Sequence, residues 1–126
     1  MTVVTRITRE EDILHVHMLG YAQAEESDVV KLDLSNYTLQ NGHAAKKLKL
    51  WEINYNTDYT YILLKADRTT DFVFAVLSAE HSNRDYYKVG GIEDTETGGT
   101  GDLILTTEGG LSPTLNYDIS CIFELL

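Results

Sequence analysis

Apolar and polar residues alternate most regularly at the end of the chain, from Thr114 to Leu126. Successive side chains of a β-strand point to opposite faces, so this alternation predicts a strand with one buried face. A shift of one residue would expose the whole apolar set to water, and the register is therefore strongly specified. The apolar set is Leu115, Tyr117, Ile119, Cys121, Phe123 and Leu125, and it alternates with Asn116, Asp118, Ser120, Ile122 and Glu124.

Seven further β-rich runs precede this strand, separated by glycine, asparagine and aspartate residues that favour turns. The run Gly101–Thr107 and the last strand flank a loop with two glycines and the only proline, which predicts an antiparallel hairpin. Neither Glu25–Lys31 nor His43–Lys47 keeps the apolar stripe of a helix. We predict an all-β fold, a single antiparallel β-sandwich or jelly roll of about eight strands. The predicted strands are Val3–Thr8, Ile13–Leu19, Val29–Leu34, Lys47–Tyr55, Tyr59–Ala66, Phe72–Ser78, Asp102–Thr107 and Leu115–Leu125.

The fourth predicted strand changes the parity of its apolar face. Leu48 and Leu50 share one parity, whereas Trp51, Ile53 and Tyr55 share the other. The extra residue of a β-bulge would produce this change of phase. A central strand covered on both faces would explain it as well, and both interpretations stay open, with the bulge preferred.

Length and charge limit the classes of function. A chain of 126 residues is typical of one domain, and we predict a single domain over residues 1–126. The formal net charge is −10, and no Lys or Arg follows Lys88. Nucleic-acid affinity comes mainly from basic side chains, so we expect no direct nucleic-acid partner. The acidity fits either a solvated surface or attraction to a basic partner.

The lack of a recognisable targeting signal and the single cysteine predict a reducing compartment. The sequence has no basic segment leading into an apolar stretch, and no run of about 18 apolar residues that would span a membrane. Cys121, the single cysteine, lies on the apolar face of the last strand and is interpreted as a core residue. We therefore expect no disulfide, no membrane partner and cytosol-like conditions.

Two histidines, His15 and His17, alternate on one face of the second predicted strand, which can place two imidazoles on one metal ion. Neither His43 nor His81 supplies a third ligand at a recognisable spacing. The glutamate spacing and second histidine motif of cupins are also missing. We interpret the pair as solvent-facing and predict no metal site.

The loop from Glu93 to Asp102 collects four carboxylates and several glycines, and calcium prefers oxygen-rich, flexible loops. The spacing does not match an EF-hand, so a calcium site and an ordinary solvated loop both stay open. No lysine or helix pattern follows the glycines, which argues against a phosphate site. His81 and Ser82 are adjacent without the spacing of a nucleophile elbow. We predict no catalytic residue, no cofactor and no enzymatic activity.

Five tyrosines crowd into strand ends and one loop: Tyr55, Tyr59, Tyr61, Tyr86 and Tyr87. Exposed tyrosines favour protein interfaces, whereas packing at the sandwich edge is the other interpretation. The candidate partner interface consists of Tyr86 and Tyr87, together with Val3 and Val4 of the β-rich first segment, which can add a strand to a neighbour's sheet. Whether the tyrosines contact protein or glycan stays open.

Three segments follow one another in a recognisable order: Lys49–Ile53, then Asp85–Tyr87 leading into Gly90–Ile92, then Gly101–Thr107 with Tyr117–Ile119. They resemble small β-sandwich virion proteins of tailed bacteriophages, including those of marine and cyanobacterial phages. The resemblance covers roughly residues 47–126, and residues 1–46 carry no motif of it.

This resemblance implies a structural component of the virion, with capsid decoration or cement as the leading role. Such a protein would bridge major capsid subunits on the capsid exterior after synthesis in the host cytoplasm, and self-association into a homo-oligomer is also compatible with it. A head-fibre, tail or neck component is the alternative within the virion. A small carbohydrate-binding β-sandwich is the alternative from another class, and it would show a row of coplanar exposed rings.

Overall fold

The computed structural model describes residues 2–22, 26–78, 81–108 and 115–126. These residues form ten β-strands and two single turns of 3-10 helix, at Leu34–Asn36 and Tyr87–Val89. The strands are β1 (Thr2–Glu10), β2 (Ile13–Ala22), β3 (Val29–Leu32), β4 (Leu48–Thr57), β5 (Tyr61–Ala66), β6 (Phe72–Ser78), β7 (His81–Asp85), β8 (Ile92–Glu93), β9 (Leu103–Glu108) and β10 (Leu115–Leu125).

The strands form two antiparallel sheets. The larger sheet has the order β1-β2-β10-β4-β7, with β8 also paired to β4, and the smaller sheet has the order β3-β9-β5-β6. Inward side chains from both sheets meet in one hydrophobic core. The predicted all-β antiparallel sandwich is confirmed, with ten strands in the described residues in place of about eight.

Two strands are not visible in the sequence pattern. Every residue of β7 is polar, and β8 has only two residues. Both are held to β4 by backbone pairing. Because neither has an alternating apolar face, hydrophobic periodicity gives no signal for them.

The hairpin predicted between β9 and β10 is wrong. β9 belongs to the smaller sheet and β10 to the larger sheet, so the connection crosses the sandwich. Its loop, residues 109–114, lies outside the described residues. Turn residues predict that a chain reverses, but they do not determine which strand pairs with which.

β10 lies at the centre of the larger sheet, between β2 and β4. From Tyr117 onwards its predicted apolar face is buried in the core. Cys121 is part of that face, and burial raises the pKa of its thiol. The cysteine therefore behaves as a small core residue, as its position in the alternation predicts.

The change of parity in β4 is a β-bulge. Ile122 of β10 pairs with Glu52 of β4. The next pair joins Phe123 to Leu50, which leaves Trp51 as the extra residue. The preferred interpretation is thus confirmed. The bulge keeps the core residues on either side of it buried and turns the only tryptophan of the chain to the outer face.

A buried polar cluster joins the two sheets. The Lys31 ammonium donates to Glu26 Oε1 (2.6 Å) and to the Tyr117 hydroxyl oxygen (3.1 Å). The Tyr117 hydroxyl donates to Glu26 Oε2 (2.5 Å). Burial and the adjacent Glu26 carboxylate raise the pKa of Tyr117 well above its usual value, so the hydroxyl keeps its proton. Each buried polar group thus has a partner, as burial requires.

Replacing Lys31 alone by Met should leave the Glu26 carboxylate buried without its ion-pair partner. We expect the free energy of unfolding to fall by about 3–5 kcal/mol in urea denaturation. The double variant Lys31→Met with Glu26→Leu removes both charges and should recover most of that loss. A Lys31→Met variant as stable as the original chain would show that the ion pair is not buried as described.

Gly20 lies directly opposite Tyr117 in the pairing of β2 and β10. A Cβ at this glycine would lie 2.3 Å from Tyr117 Cε2. Gly20→Ala should therefore displace the ring and cost about 1–3 kcal/mol of stability in urea denaturation. In a Tyr117→Ala background the same substitution should cost little, and an equal cost in both backgrounds would exclude this contact as the cause.

Candidate interaction surface

On the side away from β10, β4 pairs with two short strands, and a turn lies between them. β7 pairs with the later part of β4, and β8 pairs with its beginning. The Tyr86 amide donates to the Trp51 carbonyl oxygen (2.9 Å), and the Gly91 amide donates to the Tyr86 carbonyl oxygen (2.9 Å). These bonds hold the turn Tyr87–Val89 beside the bulge.

The Tyr87 ring stacks on Trp51, with centroids 5.4 Å apart and planes 16° apart. The Lys49 ammonium lies 4.7 Å from the Trp51 ring centroid. The Trp51 indole N–H donates to Glu124 Oε1 (2.9 Å), and the Tyr87 hydroxyl donates to Glu52 Oε2 (3.3 Å). These contacts fix the orientation of the indole, and the Tyr87 ring packs on its face. We refer to Lys49, Trp51, Glu52, Tyr87 and Val89 as the aromatic corner.

The tip of the aromatic corner faces solvent. Tyr87 is 53% exposed and Val89 is 71% exposed. Partial desolvation and the nearby Glu52 carboxylate raise the pKa of Tyr87, so its hydroxyl is neutral at physiological pH. The corner thus offers a rigid, uncharged ring beside an aliphatic side chain, which is typical of an anchor in a protein interface.

The four predicted interface residues lie in two separate places. Tyr87 forms the tip of the aromatic corner, whereas Tyr86 is half-buried and packs against the core. Val3 and Val4 are half-buried residues of β1, at the opposite edge of the larger sheet. The structure therefore does not bring the valines and tyrosines together. Tyr86 supports the turn from inside, and Tyr87 is the residue that a partner could contact.

The other tyrosines divide between core and surface. Tyr55 and Tyr59 are buried, which agrees with the interpretation of these tyrosines as packed residues. Tyr55 shares the inward parity of Ile53, and Tyr59 packs near Tyr117. Tyr61 is 38% exposed, on the smaller sheet. The described residues therefore show no single row of exposed rings such as a carbohydrate-binding sandwich would use.

Four members of the aromatic corner are absent from the predicted interface: Lys49, Trp51, Glu52 and Val89. The change of parity in β4 is the signal that could have identified Trp51, because the extra residue of a bulge leaves the buried face. Val89 carries no such signal. Its exposure depends on how the turn folds beside β4, which local sequence does not specify.

His15 and His17 lie in a cleft of about 460 Å³ on the outer face of the larger sheet. His17 Nε2 lies 2.8 Å from Asp118 Oδ1 of the adjacent strand. Within the described ranges, no three His, Cys, Asp or Glu side chains come together as ligands for one metal ion. The geometry favours the solvent-facing interpretation of the pair.

Three carboxylates of the candidate calcium loop contact donors within the protein. Arg68 Nε donates to Asp94 Oδ2 (2.8 Å), and Lys47 Nζ donates to Glu93 Oε2 (2.7 Å). Asp102 Oδ1 accepts from a backbone amide of the first 3-10 turn (2.7 Å). These contacts fix the loop against the sandwich and favour a structural loop over a calcium site.

Comparisons with protein-family models, with curated proteins and with solved structures found no match to this chain. Among the described residues, no helix has the length and apolar character needed to cross a membrane. The functional proposal therefore rests on the sequence resemblance and on the surfaces of the sandwich.

Trp51 is the only tryptophan, so its fluorescence reports on the aromatic corner. Tyr87→Ala should uncover one face of the indole, shift its emission to longer wavelength and increase quenching by acrylamide. The loss of the stack should cost about 0.5–1.5 kcal/mol of stability. Tyr87→Phe keeps a stacked ring and should preserve the emission. Identical spectra and quenching for Tyr87→Ala would show that the stack does not form.

Proposed function

We propose that this protein is a structural component of a tailed-bacteriophage virion, a capsid decoration protein that bridges and stabilises neighbouring major capsid subunits. The observation that carries the proposal is the meeting of two of the three resembling segments. Lys49–Ile53 contains the bulge of β4, and Asp85–Ile92 contains the turn that stacks on it. Two segments far apart in sequence thus build one exposed surface, the aromatic corner.

The glycines of the second segment are needed for the shape of this corner. Gly91 has a φ of +82°, and a Cβ there would lie 2.8 Å from Lys49 Cε. Glycine therefore lets the chain approach Lys49, whose ammonium lies over Trp51. The resembling residues include both the exposed ring and the backbone that positions it.

A decoration protein stabilises a shell because it binds the assembled lattice and not the separated subunits. Tyr87 is the expected anchor, since a rigid aromatic ring often contributes a large part of interface energy. The acidic surface of the chain would favour a partner with basic side chains around the contact.

The first strand is a second candidate contact. β1 contains nine residues, including Val3 and Val4, and β2 is its neighbour on one side. No described strand pairs with the other side. Backbone groups at such an edge can accept an extended segment of a neighbouring subunit as an added strand.

Purified protein should bind expanded phage capsids that lack it and should raise their resistance to heat or denaturant. Tyr87→Ala should weaken binding by about 1–3 kcal/mol, because it removes the exposed anchor. Tyr87→Phe should bind almost normally, since the hydroxyl contributes only a long hydrogen bond to Glu52. Co-sedimentation measures the affinity, and calorimetry measures the stability of the shell.

The test also separates positions within the virion. Failure to bind capsids, together with recovery of the protein only in isolated fibres, tails or necks, would contradict the decoration role. That outcome would favour the alternative virion component. Full binding by Tyr87→Ala would instead place the contact elsewhere on the molecule.

A further inference from the structure

The smaller sheet is apolar on its outer face as well as on its inner face. Six of the seven residues of β6 are apolar. Phe74 and Leu77 are buried in the core, whereas Val73 and Val76 are 45% and 47% exposed. Antiparallel sheets with one face in water usually alternate apolar and polar residues. β6 departs from that pattern.

The other strands of the smaller sheet continue this surface. Val30 of β3 pairs with Ile104 of β9, and Leu63 of β5 pairs with Val76 of β6. Val30 is 53% exposed, and Tyr61 beside this row is 38% exposed. We refer to Val30, Tyr61, Leu63, Val73, Val76 and Ile104 as the outer apolar face, in which Ile104 is buried by its neighbours (4% exposed).

Outside the aromatic corner and Ile122, the outer face of the larger sheet is mainly polar. Its cleft is lined by Arg6, His15, Glu52, Asn54 and Ser120, among others. Both sheets bury their inner side chains in the same core, so folding alone does not require apolar residues on the outside of either. Exposed apolar side chains grouped on one sheet indicate a surface that a partner covers.

Charged side chains lie within and around the outer apolar face, and acidic ones outnumber basic ones. Lys65 Nζ lies 2.7 Å from Asp28 Oδ1 and 3.4 Å from Asp71 Oδ2. The hydrogen bond from Lys65 lowers the pKa of Asp28, so that carboxylate stays charged at neutral pH. Glu108, which pairs with Tyr61, adds a further carboxylate. Lys65 itself lies within the face, since it pairs with Ile104 on one side and with Val73 on the other. Arg84 Nη1 also donates to the Val76 carbonyl oxygen (3.1 Å), so two cations and three carboxylates leave this face with a small negative excess at its rim.

We propose that the outer apolar face docks on a protein surface with an apolar centre and a basic rim. The inference rests on the proposed function, in which that surface belongs to the capsid shell. A second copy of this chain would bring two negative rims together in molecules that each carry a net charge of −10. Charge complementarity therefore favours the capsid over self-association.

The outer apolar face and the aromatic corner belong to different sheets. A molecule held to the shell through the smaller sheet keeps the corner on the larger sheet available to a neighbouring subunit. Two separate contact surfaces are what a bridging protein requires.

Expanded capsids that lack the protein are the probe. Val73→Asn and Val76→Asn should each weaken binding at least about tenfold, because each places a polar amide in a contact that excludes water. Ile122→Asn makes a comparable change on the outer face of the larger sheet and should bind normally. Circular dichroism and thermal unfolding of the free variants should confirm that all of them fold.

Reversal of charge tests the rim. Glu108→Lys should weaken binding several-fold, and the difference from the original chain should shrink in high salt, which screens charges. Asp118→Lys is the control, since Asp118 is exposed on β10 of the larger sheet, outside β1 and the aromatic corner. It should bind normally.

Normal binding by folded Val73→Asn and Val76→Asn would overturn the docking proposal and leave the decoration role standing. Failure of the original chain to bind capsids would overturn the decoration role and the docking proposal together. Sedimentation of the free protein gives the third outcome. If the free protein forms a dimer and Val76→Asn dissociates it, a second copy of the chain covers the outer apolar face. That result would overturn the proposal.

Discussion

The register between β10 and β4 is the constraint on which the rest of the structure depends. Alternation along β10 fixes which of its side chains enter the core, and pairing transmits that choice to β4. Trp51 is one residue more than this register can accommodate. The resulting bulge keeps Leu50 and Ile53 buried and leaves the indole outside, where the turn that carries Tyr87 packs on it. The aromatic corner is thus a consequence of how the core is packed.

The sheet edges differ in how readily they would accept another strand. β3 has four residues and a register shift, β6 has a register shift against β5, and a turn separates β7 from β8. Short or irregular edges are poor templates for pairing. β1 pairs with β2 over nine residues without a shift. This contrast supports β1, with Val3 and Val4, as the edge best suited to strand addition.

Much of the fold follows from the sequence, and most of the surface does not. Alternation predicted β10, and the change of parity at Trp51 predicted the bulge. β7 was missed because it has no apolar face, and the partner of β9 was misassigned because turn residues do not specify pairing. Tyr87 is exposed, as an interface residue must be, but the stack that makes it rigid joins residues far apart in sequence. Lys31 can be buried because its ammonium donates to Glu26 and Tyr117. No local sequence pattern indicates this pairing.

The orientation of the bound protein tests the account most directly. Electron cryo-microscopy of capsids saturated with the protein would show which sheet faces the shell. We expect density at junctions between capsid subunits, with the four-stranded sheet against the shell and Tyr87 near a neighbouring subunit. Bound molecules with the four-stranded sheet turned to solvent, or capsids without any bound density, would contradict this account.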